Sequence, residues 1–288
     1  MRMIAFENAG KYGLGVVEGK TIVPLGTPAE GAEGDMTRLI AAFCADPESF
    51  RRSIDAARQQ GTAVSLSTVR LLAPIARPGK IVGIGRNYRD HVGEGGLEHQ
   101  EAPRIFFKPS GSVSGPGETV RRPPAVTKLD FEGELVVVVG KTLRMADAAE
   151  AALAIAGFTV GNDLSARELQ FDVKPPQTSF AKGMDGFAAI GPWIVTADEL
   201  GAAPDLAIRT RVNGELMQEA QTSDLIFPIA ECLAYVSRYM TLEPGDLLFS
   251  GTPAGVGIFR NPPRFLQPGD TVEVEIEKIG VLVTHIGV

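Results

Sequence analysis

Short apolar runs separated by glycine and proline dominate the hydrophobic pattern of this chain, and this spacing predicts more strands than helices. The strongest signal is residues 135–139, five apolar residues in a row, which predict a strand buried on both faces. Residues 271–277 alternate instead, so that Val272, Val274 and Ile276 share one face of a strand. Together these patterns predict a β-rich α+β protein.

Helices are predicted where apolar residues recur at helical spacing or where a start signal occurs. Asp35 is suited to cap a helix that carries Leu39, Ile40 and Phe43 on one face. Further helices are predicted at residues 47–58 and 228–240, and further strands at 3–6, 13–17, 21–25, 69–72, 80–85, 104–108, 156–163, 206–212 and 247–250.

The chain is expected to form a small N-terminal domain over residues 1–74 and a larger domain over residues 75–288. Prolines punctuate this boundary, and the first region has no set of residues with catalytic spacing. In the second region, the dipeptide Asn213-Gly214 directly follows a predicted strand and predicts a hairpin turn.

Two glutamates lead into the apolar strand at 135–139. Glu132 and Glu134 lie two residues apart, so on a strand their carboxylates project from the same face and repel each other. Gly133 between them adds no bulk and is expected to let a ligand approach the backbone. A bound cation would relieve the repulsion, whereas the simpler alternative is a strand end whose glutamates face water.

A third acid, Asp163, ends the strand predicted at 156–163 and adds weight to the cation hypothesis. Ser165 and Glu168 follow with capping-box spacing, which predicts that a helix begins just after Asp163. Three carboxylates without a nearby thiolate or imidazole favour Mg²⁺ or Mn²⁺, with water or substrate as the remaining ligands.

Two other stretches contain candidate catalytic groups. His91 and Glu94 are three residues apart, a helical spacing at which Glu94 would orient His91 as a general base. The glycine-rich segment that follows, to about residue 103, is predicted to act as a lid. Lys182 lies in a glycine-rich turn and could reach a substrate anion. The alternatives are a surface histidine beside a surface glutamate, a plain surface loop and a solvated lysine.

Composition excludes several classes of function. The 288 residues carry 28 basic and 35 acidic side chains, a net charge of -7 without any basic block, which argues against nucleic-acid binding. No apolar run has membrane-spanning length, and the opening residues lack the apolar core of a signal peptide. Cys44 and Cys232 form no metal or redox motif. We therefore expect a cytoplasmic protein that does not bind membranes.

Eight segments occur in one order that resembles the fumarylacetoacetate hydrolase family, in its bacterial branch related to acylpyruvases. The resemblance runs from about residue 70 to the C-terminus and is highly specific as a set. The segments are GRNYRDHVGE, FFKPSGSVSGPGE, LDFEGELVVVVGK, AGFTVGNDLSARELQ, AKGMDGFAAIGPW, VNGELMQEAQTSDLIF, MTLEPGDLLFSGTPAGVG and GDTVEVEIEKIG.

The resemblance implies a mixed β-roll, a homodimer, and one Mg²⁺ or Mn²⁺ per subunit. A fourth acidic metal ligand found in the animal enzyme has no clear counterpart here, since the stretch before His91 offers only Asp90. The positions that match functional residues of the family are Glu132, Glu134 and Asp163 for the metal, His91 and Glu94 for water activation, Lys182 for catalysis, and Lys108, Gln170 and Thr252 for substrate binding.

The resemblance also implies a reaction, the hydrolysis of a carbon–carbon bond in a 2,4-dioxo acid to a 2-oxo acid and a carboxylic acid. Isomerisation or tautomerisation of a 2-hydroxy-dienedioate, and decarboxylation of an oxaloacetate-type acid, remain alternatives on the same metal site. A metal-stabilised binding protein without turnover is a third possibility from a different class.

Overall fold

The structure is a computed structural model that describes residues 1–25, 36–60, 63–94 and 100–288, except the side chains of residues 92 and 94. The strands are β1 (Arg2–Asn8), β2 (Lys11–Glu18), β3 (Thr21–Pro24), β4 (Val64–Ser65), β5 (Arg70–Leu71), β6 (Ile81–Gly85), β7 (Arg104–Lys108), β8 (Val113–Ser114), β9 (Thr119–Arg121), β10 (Leu129–Asp130), β11 (Gly133–Val139), β12 (Ile155–Asp163), β13 (Ser165–Ala166), β14 (Ala188–Thr196), β15 (Ala207–Val212), β16 (Glu215–Gln221), β17 (Leu247–Phe249), β18 (Thr271–Ile276) and β19 (Gly280–Gly287).

The helices are α1 (Met36–Ala45), α2 (Pro47–Gln59), α3 (Arg89–Glu94), α4 (Ala148–Leu153), α5 (Thr178–Lys182), α6 (Ala197–Leu200) and α7 (Ile229–Ser237). None of these helices is long and apolar enough to cross a membrane.

Within the described residues, twelve strands form one sheet in the order β4-β3-β2-β1-β14-β12-β11-β17-β6-β7, with β5 paired to β1 and β8 to β14. Most neighbours are antiparallel, but β17 pairs with β6, and β8 with β14, in parallel. A five-stranded sheet, β16-β15-β18-β19-β9, packs on it, and β10 pairs with β13 alone. This mixed, sheet-rich architecture confirms the predicted α+β class.

Strand β11 separates two parts of the hydrophobic core. Leu135 and Val137 belong to the cluster shared with the five-stranded sheet and α7. Val136 and Val138 point the other way, into the cluster that contains α1 and α2. All seven residues of β11 are buried. This confirms the prediction that residues 135–139 form a strand buried on both faces.

The N-terminal strands join the same large sheet, because β1 pairs with β14. The proposed division at residue 74 therefore stays a prediction about folding units and does not coincide with a break between sheets. Helix α1 is present and buries Ile40 and Phe43, although its predicted cap, Asp35, lies outside the described residues. The predicted hairpin is also present, with Asn213 and Gly214 in the left-handed region at φ 52° and 83°.

The prediction of a helix beginning just after Asp163 is wrong. Ser165 lies in β13, opposite Asp130 of β10, and its hydroxyl donates to the carbonyl oxygen of Asp163 at 3.0 Å. A single helical turn follows only at Glu168–Asp172. The carboxylate of Glu168 accepts a hydrogen bond from the backbone N–H of Lys128 at 3.2 Å, so it caps a neighbouring segment instead.

Candidate metal and oxo-acid site

Pairing of β11 with β12 brings the three predicted acids together. Gly133 is opposite Asn162 and Glu134 is opposite Gly161, so Glu132 faces Asp163, whose N–H donates to the Glu132 carbonyl at 2.8 Å. In a sheet these positions share one face. One carboxylate oxygen from each of Glu132, Glu134 and Asp163 lies within 4.8 Å of the other two, and all three residues are buried. We call these three residues the acid triad.

The expectation for Gly133 is wrong. Its missing side chain points away from the acid triad, because adjacent residues of a strand face opposite sides. A Cβ atom added there would lie 2.1 Å from Oγ1 of Thr210 and 3.0 Å from Cγ1 of Val274, in the five-stranded sheet. Glycine is needed at this position for the two sheets to pack closely, and not for a ligand to approach.

Lys182 forms ion pairs with two of the three acids of the triad. Its Nζ donates to Oε2 of Glu132 at 2.8 Å and to Oδ2 of Asp163 at 2.6 Å. A third hydrogen bond, at 2.7 Å, goes to the hydroxyl of Ser165. The predicted glycine-rich turn is the C-terminal end of α5, and Lys182 is buried there, so it is not one of the solvated lysines that such turns often carry.

Lys108 reaches Asp163 from the other side. Its Nζ hydrogen-bonds to Oδ1 of Asp163, and its side chain is fully buried. Close packing positions the two lysines, since a Cβ atom added at Gly183 would lie 2.9 Å from Cδ of Pro109. The residue after Lys182 therefore contacts the residue after Lys108.

Arg167 also belongs to the site, although the sequence analysis gave it no role. Its Nη1 donates to Oε1 of Glu132 and to Oε1 of Gln170, both at 2.7 Å. Its Nε donates to Oδ2 of Asp130 at 2.8 Å. Its Nη2 is buried and has no partner among the described residues. One donor of this guanidinium is therefore still available to a ligand.

Asp130 was missed as well, and the alternation that identified the glutamates would have found it. It precedes Glu132 by two residues and is fully buried. Besides Arg167, it accepts hydrogen bonds from the N–H groups of Phe131 at 2.9 Å, Gly257 at 2.8 Å and Ile258 at 3.0 Å. With four donors, this carboxylate is fully satisfied by the protein.

The two glutamates of the triad differ in their electrostatics. Burial alone would raise the pKa of Glu132, but Lys182, Arg167 and His91 outweigh it and lower that pKa to about 2. Burial and the charges of Asp163 and Glu132 raise the pKa of Glu134 well above its usual value. Among the described residues, its carboxylate accepts one hydrogen bond, from the N–H of Gly251 at 2.7 Å.

The lysines also differ. Burial lowers the pKa of Lys108 despite its contact with Asp163. Burial acts on Lys182 too, but the charges of Asp163 and Glu132 outweigh it and raise the pKa of the Lys182 ammonium. Across the described site the charges do not balance, since four buried carboxylates meet three buried cations: Asp130, Glu132, Glu134 and Asp163 against Lys108, Arg167 and Lys182.

The acid triad fits a divalent cation. Its donors are three carboxylate oxygens, the ligands that Mg²⁺ and Mn²⁺ prefer, and they converge within 4.8 Å. Among the described residues, Glu134 is the acid of the triad whose charge no ion pair compensates. A cation held by Glu132, Glu134 and Asp163 would compensate it, with water or substrate completing the coordination.

A cavity lies beside the triad and contains most of the predicted catalytic and substrate-binding residues. Thr252 is fixed in its wall, because its hydroxyl donates to the carbonyl oxygen of Gly133 at 2.9 Å and accepts from Nε2 of Gln218 at 2.7 Å. Lys108, Glu134 and Asp163 are not among the residues that line the cavity. The lining comprises Ile84, Gly85, Arg86, His91, Arg104, Phe106, Glu132, Arg167, Gln170, Phe171, Thr178, Lys182, Thr252 and Phe259.

His91 lies on α3, buried in the cavity wall, with its ring 5.8 Å from that of Phe259. Glu94 ends the same short helix, but its side chain is outside the described residues, as are residues 95–99 of the predicted lid. The pairing of His91 with Glu94 therefore stays a prediction, whereas the position of His91 in the lining of the same cavity as Glu132 and Lys182 is a feature of the structure.

A family model described as fumarylacetoacetate (FAA) hydrolase C-terminal matches residues 80–287 of this chain. Among curated proteins, the mitochondrial oxaloacetate tautomerase FAHD2B of Bos taurus is 42% identical over 220 residues, which is 76% of this chain and 70% of that protein.

Two solved structures share the whole fold. Maleylpyruvate hydrolase from Sphingobium sp. SYK-6, in complex with manganese(II) and pyruvate, is 30% identical with a TM-score of 0.82, covering 100% of both chains. The 2-hydroxyhepta-2,4-diene-1,7-dioate isomerase from Mycobacterium marinum is 33% identical with a TM-score of 0.77, covering 100% of this chain and 98% of that one. Proteins with this fold therefore include a hydrolase and an isomerase.

Proposed function

This chain belongs to the fumarylacetoacetate hydrolase family, and we propose that it is a divalent-metal-dependent enzyme that hydrolyses a carbon–carbon bond in a 2,4-dioxo acid. The products would be a 2-oxo acid and a carboxylic acid. The observation that carries this proposal is a single cavity that joins His91, a candidate base, to Glu132 of the triad and to the cations Arg167 and Lys182.

The acid triad would hold Mg²⁺ or Mn²⁺, which when bound supplies Lewis-acid polarisation to the oxygen atoms of a 2-oxo acid. The protein itself contributes two cations at the same place. Lys182 stays protonated because its carboxylate partners raise its pKa, and Arg167 has a free Nη2 donor. Both would stabilise negative charge as it develops on the oxo-acid part of the substrate.

His91 would act as the general base. In the proposed reaction it takes a proton from water, and the resulting hydroxide attacks the C4 carbonyl carbon. The C3–C4 bond then breaks, its electron pair forms the enolate of the 2-oxo acid, and C3 takes up the proton that His91 removed from water. The predicted role of Glu94 is to orient the imidazole during the first step.

A second candidate is keto–enol tautomerisation of an oxaloacetate-type acid. The 42% identity to an oxaloacetate tautomerase favours it, and the same cations would stabilise the enolate that both reactions share. Tautomerisation moves one proton between carbon and oxygen and consumes no water. The two reactions therefore differ in their products.

The test offers an acylpyruvate and, separately, oxaloacetate to the enzyme with Mg²⁺, with Mn²⁺ and with EDTA. Product analysis by NMR separates hydrolysis, tautomerisation and decarboxylation. We expect hydrolysis of the acylpyruvate that EDTA abolishes. If oxaloacetate interconverts and the acylpyruvate persists, tautomerisation replaces hydrolysis as the function. If neither substrate changes with either metal, the proposal fails.

The variant His91→Ala tests the role of the base. Removing a general base typically costs about 10² to 10⁴ in rate. We expect a loss of this size in kcat, with unchanged Mn²⁺ affinity by calorimetry, because His91 is not in the acid triad. An undiminished rate would show that another group activates the water.

A further inference from the structure

The segment of residues 250–253 follows β17 and contacts both the acid triad and the cavity. The N–H of Gly251 donates to Oε2 of Glu134 at 2.7 Å. Thr252 lines the cavity, and its hydroxyl donates at 2.9 Å to the carbonyl oxygen of Gly133, the residue between the two glutamates. A shift of this segment would therefore move a partner of Glu134 and one wall of the cavity together.

Asn87 holds the start of this segment. Its Nδ2 donates to the carbonyl oxygen of Ser250 at 2.8 Å and to that of Phe227 at 3.1 Å. Its Oδ1 accepts from the N–H of Phe227 at 2.8 Å, and the side chain is fully buried. Because both donors of this amide are used on backbone carbonyls, its role is to join segments of the chain and not to bind a ligand.

Close packing reinforces the contact between Asn87 and the segment. Gly251 has φ 106°, in the region that favours glycine. A Cβ atom added there would lie 2.8 Å from Cβ of Asn87 and 3.2 Å from the carbonyl oxygen of Ile84. Asn87 also lies four residues before His91, in the stretch that leads from β6 into α3. One buried amide therefore ties the stretch that carries the candidate base to the segment that binds Glu134.

Gln218 of β16 holds the other end of the segment. Its Nε2 donates to Oγ1 of Thr252 at 2.7 Å and to the carbonyl oxygen of Pro253 at 2.8 Å. Its Oε1 accepts from the N–H of Gly133 at 3.0 Å, and the residue is 1% exposed. Like Asn87, this amide uses both donors on the protein, and it connects the five-stranded sheet to the backbone between the two glutamates.

Glu134 has a physical need for such support. Its carboxylate lies within 4.8 Å of those of Glu132 and Asp163, and the repulsion between like charges favours rotation of the side chain away from them. The N–H of Gly251 opposes this rotation only if residue 251 is itself held in place. Carboxylates that bind metals are commonly oriented by such partners, whose loss weakens metal binding.

We propose that Asn87 and Gln218 are positioning residues, which fix residues 250–253 so that Glu134 is held ready for the cation. Asn87 would also set the position of His91 relative to this ligand. Neither side chain touches the reacting atoms in this proposal. The inference rests on the proposed function where turnover is measured, whereas its prediction about metal affinity does not depend on which reaction is catalysed.

The experiment compares two variants with a matched control. Asn87→Ala removes one amide, and Gln218→Met removes the other at nearly unchanged volume. The control is Ser237→Ala. The hydroxyl of Ser237 is buried, accepts from the N–H of Ala146 at 3.0 Å and donates to the carbonyl oxygen of Ala234 at 2.8 Å, so the control also loses buried hydrogen bonds. Calorimetry gives Mn²⁺ affinity, denaturant unfolding gives stability, and kcat and KM are measured with an acylpyruvate.

All three variants should lose stability, because each leaves buried groups without a hydrogen-bond partner. Mn²⁺ affinity should fall about 10- to 100-fold in the two amide variants and stay within about twofold of wild type in Ser237→Ala. At saturating Mn²⁺, kcat should also fall about tenfold or more in Asn87→Ala, since His91 is displaced, and less in Gln218→Met. Mn²⁺ affinity that falls no further in the amide variants than in the control would overturn the inference.

Gly251→Ala tests the same contact if an amide variant does not fold. It removes no buried polar group, but its Cβ atom must push residue 251 away from Asn87. We expect Mn²⁺ affinity to fall about tenfold or more, and full affinity in this variant would overturn the inference.

The metal measurements also separate this inference from the proposed function. Weaker Mn²⁺ binding in the amide variants, with normal binding in Ser237→Ala, supports the positioning role even if no dioxo acid is hydrolysed. Hydrolysis by the wild type together with wild-type Mn²⁺ affinity in Asn87→Ala, Gln218→Met and Gly251→Ala would leave the proposed function intact and refute the positioning role.

Discussion

Asp130 and Glu134 are buried carboxylates four residues apart in the chain, and they differ in how many hydrogen bonds and ion pairs the protein gives them. Asp130 accepts four hydrogen bonds, one of them from the guanidinium of Arg167, and needs no further partner. Glu134 accepts one hydrogen bond, from Gly251, and no ion pair forms on it among the described residues. Both side chains are almost completely buried, with 0% and 1% exposure.

The difference shows that burial of an acid does not by itself mark a ligand site. A buried carboxylate with a full set of donors is a structural element, because it fixes the groups that donate to it. A buried carboxylate whose neighbours are also negative costs free energy until a cation arrives. Asp130 is of the first kind and orients Arg167, whereas Glu134 is of the second kind and marks the proposed metal site.

The largest expected effect comes from removing a ligand of the triad. In Asp163→Ala we expect no measurable binding of Mg²⁺ or Mn²⁺ by calorimetry and a loss of activity of about 10³-fold or more. The reason is that the remaining two glutamates cannot hold the cation, while Lys108 and Lys182 lose their common partner.

The matched control for this variant is Asp246→Asn. Asp246 is 1% exposed and accepts hydrogen bonds from the N–H groups of Lys80 and Glu243, each at 2.8 Å. It is not part of the acid triad, so metal affinity should persist. If metal binding survives in Asp163→Ala, the triad is not the site that holds the cation.

Changing Asp130 should affect the stability of the protein more than its metal binding. In Asp130→Asn the amide nitrogen cannot accept a hydrogen bond, so two donors lose their acceptor, either Arg167 and Ile258 or Phe131 and Gly257. Breaking a buried ion pair costs about 3 to 5 kcal/mol, which denaturant unfolding can measure. Turnover should also fall, because Arg167 is no longer held in place, but Mn²⁺ affinity should fall far less than in Asp163→Ala, because no described hydrogen bond of Asp130 reaches a residue of the triad.

The opposite result for Asp130→Asn would show that Asp130 and the acid triad act as one site. If Mn²⁺ affinity fell as far as in Asp163→Ala while stability hardly changed, Asp130 would be acting on the metal site directly. The contrast between a satisfied Asp130 and an unsatisfied Glu134 would then be wrong.

The sequence was sufficient to predict the acid triad, because its signals are local. Alternation along a strand placed Glu132 and Glu134 on one face, and a strand ending in Asp163 supplied the third acid. The fold class and most strand positions follow for the same reason, since periodicity and glycine or proline boundaries are local as well. Strand β7 has the predicted bounds, 104–108.

The sequence did not reveal which cation meets which acid, because that depends on register and on packing between distant segments. The pairing of Asp130 with Ser165 places Arg167 next to Glu132, and no spacing rule contains this information. The helix predicted after Asp163 was wrong for the same reason. The capping-box signal was outweighed by pairing across β10 and β13 and by the hydrogen bond from Lys182 to Ser165.

The smallest expected effect is also the sharpest test of the comparison. Glu134→Gln is the same chemical change as Asp130→Asn, from carboxylate to amide, yet we expect it to stabilise the metal-free protein. The amide oxygen can still accept from Gly251, and the repulsion from Asp163 and Glu132 disappears. At pH 8 in EDTA, the free energy of unfolding should rise by about 1 to 3 kcal/mol, the usual penalty of a poorly satisfied buried group.

The sign of the pH dependence follows from the raised pKa of Glu134. The folded wild type holds this proton more tightly than the unfolded chain does, so the metal-free protein loses stability as pH rises above the ordinary value near 4.5. Glu134→Gln lacks this loss, and the two unfolding free energies should converge as pH falls towards that value. Saturating Mn²⁺ should reverse their order, because only the wild type keeps all three ligands. A destabilised Glu134→Gln protein in EDTA would mean that Glu134, like Asp130, is already satisfied.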